Sequence, residues 1–182
     1  MKGQSVLTAL KMDNSDMLEW ALEEENIHID ELLEIGNTPL QLAVSWRAAE
    51  CVEFLLRKGA APDCHFNGFS PLMIAAQEGC TNIAAILIDG NADINYHGQY
   101  GLTPLMAEAR DGHQKTVRLL LDRGADAEDT SDAGNTALNM AEMAGQADTA
   151  QMIRNHLESR YVELSPAFLH RHIIAKDPGE SD

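Results

Sequence analysis

The chain has 182 residues, of which 45% are hydrophobic, so it can bury the core of one domain or of a short repeat array. Its 13 basic and 29 acidic residues give a formal net charge of −16, which favours a basic partner and argues against direct nucleic-acid binding, because phosphates are neutralised by clustered Lys and Arg. No stretch approaches the roughly 18 apolar residues of a membrane span, and the N-terminus lacks the apolar core of a signal peptide, so we expect a cytoplasmic protein without membrane contact.

The first predicted unit, residues 1–35, contains two short helices. Its apolar residues recur at helical spacing, but it lacks the Thr-Pro motif with which later units begin. An atypical terminal unit is what a cap requires, because its outer face meets water. The apolar residues of this predicted cap are Leu7, Leu10, Met17, Leu18, Ala21 and Leu22.

Four later segments share one pattern. A Gly is followed two positions later by Thr or Ser, which can cap a helix, then in three of the four segments by Pro, and then by a run of mostly small apolar residues. They begin at Gly36, Gly68, Gly101 and Gly134, at steps of 32, 33 and 33 residues. A fixed period of this length indicates a repeat architecture, in which each unit is too small to bury its own apolar face and stacks on its neighbours. The predicted units are 36–66, 67–98, 99–132 and 133–158.

The stretch GLTPLMAEARDGH shows how one unit begins. Thr103 can cap a short helix, Pro104 suits its first position, and Gly112 can end it in the left-handed conformation. In the first of the four units Trp46 and Arg47 stand where the other units have a residue followed by Gly, so we expect a distorted or locally longer turn there. The predicted packing positions of the helix are Leu105, Met106 and Ala109.

A second helix is predicted in KTVRLLLD, directly after the first. It ends at Gly124, and the equivalent positions in the preceding units are Gly59 and Asn91. Asn is the next most tolerant residue after Gly in the left-handed region. Polar segments such as EDTSDAGN then lead to the next unit through hairpin-like turns. The predicted packing positions of this helix are Val117, Leu120 and Leu121.

The last unit and the segment after it differ from the others. Thr149 and Arg154 occupy positions that are Ile83 and Ile88 two units earlier, so this unit is predicted to be the C-terminal cap. In the extension 159–182 a Ser-Pro pair can start a short amphipathic helix. That helix either folds back over the last unit or binds a partner.

The segment 101–126 carries GLTPL, DGH, VRLLL and GAD in the order of the ankyrin repeat consensus. Over roughly residues 5–158 the chain resembles the ankyrin repeat family. The resemblance implies an all-α fold, an ankyrin-repeat solenoid of antiparallel helix pairs with β-turn fingers and degenerate capping repeats at both ends. The family's usual His after TPL, which ties neighbouring repeats together, is replaced, and this leaves that hydrogen bonding in doubt. The replacements are Gln41, Met73, Met106 and Asn139.

No motif points to an enzyme, a cofactor or a metal. A catalytic site needs a nucleophile beside a base, a carboxylate pair or a metal cluster, and none is visible. His170 and His172, with His156 nearby in the sequence, lack a third ligand at a recognisable spacing. His113 matches a structural hydrogen-bonding position of the family. Three cysteines form an odd set without ligand spacing, which indicates reduced thiols; they are Cys51, Cys64 and Cys80.

The resemblance places a recognition surface in the fingers and at the two positions before the turn between the helices, on the concave side of the stack. Five aromatic residues lie there in a chain that is 5% aromatic, and aromatic side chains supply much of the energy of interfaces. Phe66 and Phe69 have a second interpretation, packing between adjacent fingers. The predicted partner-binding residues are Trp46, Phe66, Phe69, Glu78, Tyr96, Tyr100, Arg110, Asp111, Asp129 and Asp132.

The sequence thus favours a non-catalytic protein–protein interaction module, monomeric when free, that binds a basic protein partner through its concave face. Small size, loose agreement with the consensus and acidic charge fit an immunity or inhibitor protein of a bacterial toxin. The alternative is a bacterial effector or adaptor that recruits a host or cellular protein. An enzyme is the hypothesis of another class, and no catalytic constellation supports it.

Overall fold

The structure, a computed structural model, describes residues 3–33, 36–64 and 68–163, and their side chains as far as residue 160. These residues form α-helices and connecting segments, with one short 3₁₀ helix at Gln99–Gly101, which confirms the predicted all-α repeat fold. The α-helices are α1 Gln4–Lys11, α2 Ser15–Glu24, α3 Pro39–Ser45, α4 Ala49–Arg57, α5 Pro71–Gln77, α6 Thr81–Asp89, α7 Pro104–Asp111, α8 Gln114–Asp122, α9 Ala137–Met143 and α10 Ala147–Glu163.

The helices form two layers. Helices α3, α5, α7 and α9 pack side by side in one layer, and α4, α6, α8 and α10 pack side by side in the other. Helix α1 contacts α3, and α2 contacts α4, so the first pair extends both layers. Each odd-numbered helix also packs on the even-numbered helix that follows it after a short turn. The described residues therefore form a row of stacked helix pairs in which every pair packs on its neighbours.

The odd-numbered helices after α1 begin with a polar cap, as the repeated motif predicts. In each of them a Ser or Thr hydroxyl accepts the backbone N–H of the residue three positions later, at 3.3 Å. Helices α3, α5 and α7 also have Pro at their first position, where its missing N–H costs no hydrogen bond. The capping residues are Thr38, Ser70, Thr103 and Thr136.

The turn between the two helices of a pair needs one residue in the left-handed conformation. Gly79, Gly112 and Gly145 take it with φ of 61°, 78° and 73°. Arg47 stands at the same position and takes it too, with φ of 58°. The turn after α3 therefore has the same length as that after α5, so of the two expected outcomes, a distorted or a locally longer turn, the longer turn is not found. The missing Gly is accommodated by backbone strain at Arg47, because a side chain disfavours this region.

Helices α4, α6 and α8 end where the sequence predicts. Gly59, Asn91 and Gly124 follow α4, α6 and α8 with φ of 92°, 65° and 90°. The predicted packing positions on α8 are buried, and they belong to one core that runs through every helix pair of the described chain. The largest fully buried side chains of this core are Leu10, Leu18, Leu40, Leu55, Leu72, Met73, Ile83, Leu87, Leu105, Met106, Leu120 and Ile153.

One of the four residues that replace the family's usual His still links two units. The Gln41 Oε1 accepts the Thr38 N–H at 3.0 Å, and its Nε2 donates to the Cys64 carbonyl in the following finger at 3.1 Å. Met73 fills space instead, since a Cβ placed on Gly98 would lie 2.5 Å from its sulfur. The hydrogen bond that the sequence left in doubt is thus retained at Gln41 and exchanged for apolar contact at Met73.

Helix α10 extends beyond the predicted end of the last unit at residue 158 and continues to Glu163. Thr149, the polar substitution that suggested a cap, is itself buried on the inner side of α10 beside Ala150 and Ile153. The proposed helix start at the Ser-Pro pair, together with His170 and His172, lies outside the described residues.

Candidate functional site

We call the surface made by the ends of α3, α5, α7 and α9 and by the connecting segments between helix pairs the finger face. The connecting segments, or fingers, join each even-numbered helix to the next odd-numbered helix. The helix-end positions of the finger face are 45–46, 77–78, 110–111 and 143–144. They precede the left-handed residue of each turn, so they recur once per unit along the stack. The helix-end positions of successive units are therefore structurally equivalent.

Trp46 occupies the helix-end position of α3. It is half-buried, packs against the core, and has the Lys11 ammonium 5.3 Å from its ring centroid. A cation over the face of an indole is attracted by the ring quadrupole. The ring is thus held between the core and a charged side chain of the first helix pair, and part of it remains exposed.

Tyr100 projects from the finger before α7. Its side chain is 68% exposed, and its backbone lies in the left-handed region with φ of 61°. Hydrogen bonds to both neighbouring fingers hold this conformation, since the Gln99 N–H donates to the Gly68 carbonyl at 3.2 Å and the Asp132 N–H donates to the Tyr100 carbonyl at 3.0 Å. A large residue in this region costs about 1–2 kcal/mol. The stack therefore maintains a strained position that presents an aromatic ring to solvent.

The charged residues predicted on the finger face are engaged with one another. The Arg47 guanidinium donates to the Glu78 carboxylate and to the Glu78 carbonyl, both at 3.2 Å. The Arg110 guanidinium binds both carboxylate oxygens of Asp111, at 2.8 and 3.2 Å. These exposed pairs contribute little to stability, but they orient the side chains and partly neutralise the centre of the face.

The two acidic residues predicted in the last finger differ in their surroundings. Asp129 Oδ2 lies 2.6 Å from His97 Nε2 of the preceding finger, and its Oδ1 accepts the Thr130 N–H at 2.8 Å. Asp132 is exposed and lies against Gly101, where an added Cβ would be 2.6 Å from its Oδ1. Asp129 therefore joins two fingers, whereas the carboxylate of Asp132 faces solvent at the edge of the finger face.

The remaining predicted aromatics have less exposed positions. Phe69 and Tyr96 are each half-buried in their fingers. Phe66 lies outside the described residues. The exposed aromatic character of the described finger face is thus concentrated at Tyr100, with Trp46 contributing part of its ring. Met143 adds an exposed apolar side chain at the helix-end position of α9.

Sequence reasoning missed a ladder of side-chain to backbone hydrogen bonds between successive fingers. Asp30 accepts the Ala61 N–H at 2.9 Å, and Asp63 accepts the Asp93 N–H at 2.8 Å. Asn95 accepts the Asp126 N–H at 2.9 Å in the same way. The signal was present, because each acceptor stands four residues after the left-handed residue that follows an even-numbered helix, at Asn26, Gly59 and Asn91. Several carboxylates of this acidic chain therefore hold the fingers together.

The described residues contain no group of three or more His, Cys, Asp or Glu that could hold a metal ion. His156 belongs to α10, on a groove between α8 and α10. All three cysteines are free thiols, and burial raises the pKa of each. No helix in the described part of the chain is long and apolar enough to cross a membrane.

Comparison with known proteins agrees with this geometry. The family model for ankyrin repeats (3 copies) matches residues 6–97 and 91–162. The chain belongs to the ankyrin repeat family. Ankyrin repeats are protein–protein interaction modules, typically without catalytic activity, so the finger face of this ankyrin-repeat chain is a candidate protein-binding surface.

Two curated relatives are similar to part of the ankyrin-repeat chain. The human transient receptor potential cation channel subfamily A member 1 is 37% identical over 75 residues. The Schizosaccharomyces pombe glycerophosphocholine phosphodiesterase gde1 is 37% identical over 62 residues. These matches cover 40% and 33% of this chain but only 7% and 6% of the two relatives. The similarity is thus confined to a small part of each larger protein.

Proposed function

We propose that this ankyrin-repeat chain holds a basic protein partner on its finger face. Tyr100 is the observation that carries the proposal, because it combines an exposed ring with a strained backbone that the neighbouring fingers hold in place. Strain that the surrounding structure maintains is typical of binding sites. An exposed Tyr on a fixed backbone can enter a partner's pocket with little loss of conformational entropy.

The charge of the chain supports a basic partner. The net charge of −16 creates an attractive field for cationic proteins at low salt. Within the finger face, Glu78 and Asp111 are already paired with arginines, so the attraction acts through the field of the whole chain and through edge carboxylates such as that of Asp132. We therefore assign the acidic residues to encounter with the partner and the aromatic residues to retention.

As the biological role we propose an immunity or inhibitor protein that masks the basic functional surface of a bacterial toxin. The chain acts as a monomer in the cytoplasm, where a reducing environment would keep its three free thiols reduced. An adaptor role differs in a measurable way, because a partner bound by an adaptor keeps its activity in the complex, whereas a masked toxin loses it.

The test is capture of the partner from the native cell with the parent chain and with matched variants, followed by titration calorimetry on the purified complex. Tyr100→Ala and Trp46→Ala should each weaken binding by about 2 kcal/mol, roughly thirtyfold in Kd. Trp20→Ala is the control, because Trp20 is also an exposed aromatic, 54% accessible, but lies on α2 in the other layer. It should bind as tightly as the parent.

Two outcomes would contradict the proposal. If Tyr100→Ala and Trp46→Ala bind like the parent while deletion of residues 165–182 abolishes binding, the C-terminal extension is the recognition element. If the association rate does not fall when salt is raised from about 0.05 to 0.3 M, the partner is not attracted by charge and the basic-partner assignment is wrong.

A further inference from the structure

The position of Glu108 on α7 is occupied by Ala in every other repeated unit. The equivalent residues are Ala43, Ala75 and Ala141, and all are fully buried in the core. Glu108 is equally inaccessible, with 0% of its surface exposed. A carboxyl group therefore stands where the architecture otherwise uses a small apolar side chain. Burying such a group is costly unless it is neutral or paired.

The partner of Glu108 is His113, which begins the turn into α8. The Glu108 Oε1 lies 3.0 Å from the His113 Nδ1, while Oε2 has no hydrogen-bond partner among the described residues. The His113 side chain is 36% exposed, so it is the member of the pair that solvent can reach. His is also peculiar to this unit, since the equivalent residues elsewhere are Ala48, Cys80 and Gln146.

The pair lies against the preceding helix pair. A Cβ placed on Gly79, in the turn between α5 and α6, would be 3.3 Å from His113 Nε2. The carbonyl of Ala76 also favours the protonated imidazole. In the same turn, the charge of Glu108 raises the pKa of the Cys80 thiol. His113 thus bridges a buried carboxyl and the turn of the neighbouring unit.

The other elements around Glu108 supply one charge that acts on the pair. On α7 itself, Asp111 favours protonation of both Glu108 and His113. On α8, Thr116 is buried, its hydroxyl lies 2.8 Å from that of Thr81 on α6, and the same hydroxyl lowers the pKa of Glu108. On α9, Glu142 is exposed, and its carboxylate accepts a hydrogen bond from Arg154 at 2.6 Å.

These surroundings determine the direction in which the pair titrates. Burial raises the pKa of Glu108 to about 7, and the hydrogen bond to His113 is the largest opposing influence. The hydrogen bond to Glu108 in turn raises the pKa of His113 above its usual value. In an unfolded chain a Glu titrates near about 4.3 and a His near about 6.5. The folded chain therefore retains protons on this pair to a higher pH than the unfolded chain does.

We propose that Glu108 and His113 form a pH-sensitive element that weakens the stacking of the α7–α8 pair on the α5–α6 pair as the pH rises through neutrality. At low pH the carboxyl is neutral and the imidazolium is held between it and the preceding turn. As the pH rises the pair loses two protons, one from the Glu108 carboxyl and one from the His113 imidazolium. A carboxylate with one unsatisfied oxygen is then left in the core, where its charge is poorly solvated.

The sign follows from proton linkage. Because both folded-state pKa values are raised, the stabilisation is fully present below about pH 4 and is lost as the pH rises through about 7. From the shift of Glu108 alone the ratio of folded to unfolded chain should fall on the order of a hundredfold across this window, relative to a chain without the carboxyl. Deprotonation of His113, whose pKa is also raised, adds to this loss.

The test is urea unfolding of the full chain at several pH values between 5 and about 8.5, comparing the parent with Glu108→Ala, which restores the residue of the other units. Relative to this variant, the ratio of folded to unfolded parent chain should fall with rising pH, and most of the hundredfold decrease should occur between pH 5 and 8. Glu108→Gln keeps the size of the side chain but cannot ionise. Its stability should therefore depend on pH in the same way as that of Glu108→Ala. Glu142→Ala, which removes an exposed carboxylate, should follow the parent at every pH.

Parallel stability curves for the parent and both Glu108 variants would overturn the proposal. If neither variant folds, hydrogen exchange of the parent decides, after correction for the intrinsic rate at each pH. The amides of α7 and α8 should lose protection relative to those of α4 as the pH rises. Equal loss in all three helices would overturn the proposal in the same way.

Discussion

Replacing Arg47 should reveal the strain stored in the turn between α3 and α4. Arg47 has φ of 58° where the corresponding residues of the later units are Gly79, Gly112 and Gly145. Its N–H bonds the Val44 carbonyl at 3.0 Å, as the Gly79 N–H bonds the Ala76 carbonyl at 2.9 Å. The turn therefore has the same hydrogen bond as the turn at Gly79. It differs in that a residue with a side chain is held in the left-handed conformation, which lowers the stability of the fold. We predict that Arg47→Gly relieves this strain.

The magnitude is obtained by comparing Arg47→Gly with Arg47→Ala. Both variants lose the exposed ion pair with Glu78, worth about 0–1 kcal/mol, and both remove the same charge. They differ in two contributions to the free energy of unfolding. The left-handed backbone costs Ala, but not Gly, about 1–2 kcal/mol. Gly in turn loses more conformational freedom on folding, which disfavours Arg47→Gly by about 0.5–1 kcal/mol. Arg47→Gly should therefore be more stable than Arg47→Ala by about 1 kcal/mol.

The reverse substitution is available at Gly145. Its φ is 73°, and a Cβ placed there would have no atom within 4 Å. Gly145→Ala thus measures the conformational cost without a steric one, and it should destabilise the chain by about 1 kcal/mol. Urea unfolding followed by circular dichroism gives all three values, and a difference of 1 kcal/mol corresponds to about 2–4 °C in Tm for a chain of this length. If Arg47→Gly is no more stable than Arg47→Ala, the strain interpretation is wrong.

Three further predictions concern contacts between units. Asp63→Ala removes the acceptor of the Asp93 N–H and should lower the free energy of unfolding by about 1–2 kcal/mol, with Asp63→Asn costing less because it keeps an acceptor. Gln41→Met removes its hydrogen bond to the Cys64 carbonyl and should cost about 1–3 kcal/mol in the same assay. Burial, reinforced by Asp13, raises the pKa of Cys51 to about 12, so iodoacetamide at pH 8 should alkylate this thiol slowly until urea unfolds the chain; fast modification of the native chain would contradict its buried position.

The helix boundaries were predictable from the sequence because they depend on residues close together in the chain. Thr103 caps the helix that Pro104 begins, and both act within one turn of helix. Asn91 ends α6 because of its own backbone preference. At Arg47 the sequence shows that the Gly is missing but not whether the turn is distorted or lengthened. The structure keeps the length of the turn and strains the backbone of Arg47.

The equivalence of the helix-end positions was predictable, but the state of their side chains was not. The period of the repeat gives Glu78 and Asp111 equivalent positions in successive units, yet pairing with Arg47 and Arg110 depends on side-chain geometry. The strained backbone of Tyr100 is held by hydrogen bonds to the fingers on both sides, so no local sequence pattern predicts it.

By itself, the sequence determined that this protein is a stack of helix pairs, where the helices of the central repeated units start and end, and which positions face the core, because these properties depend on short-range preferences that recur with the period. Only the tertiary structure decided which polar groups meet across the units. Gln41 reaches the Cys64 carbonyl, Asp63 reaches the Asp93 N–H, and His113 lies against Gly79 of the preceding turn. Each contact joins residues that are 23 to 34 positions apart, so it exists only after neighbouring units have packed. The same packing buries Glu108 beside His113, at a position where the repeat otherwise has Ala.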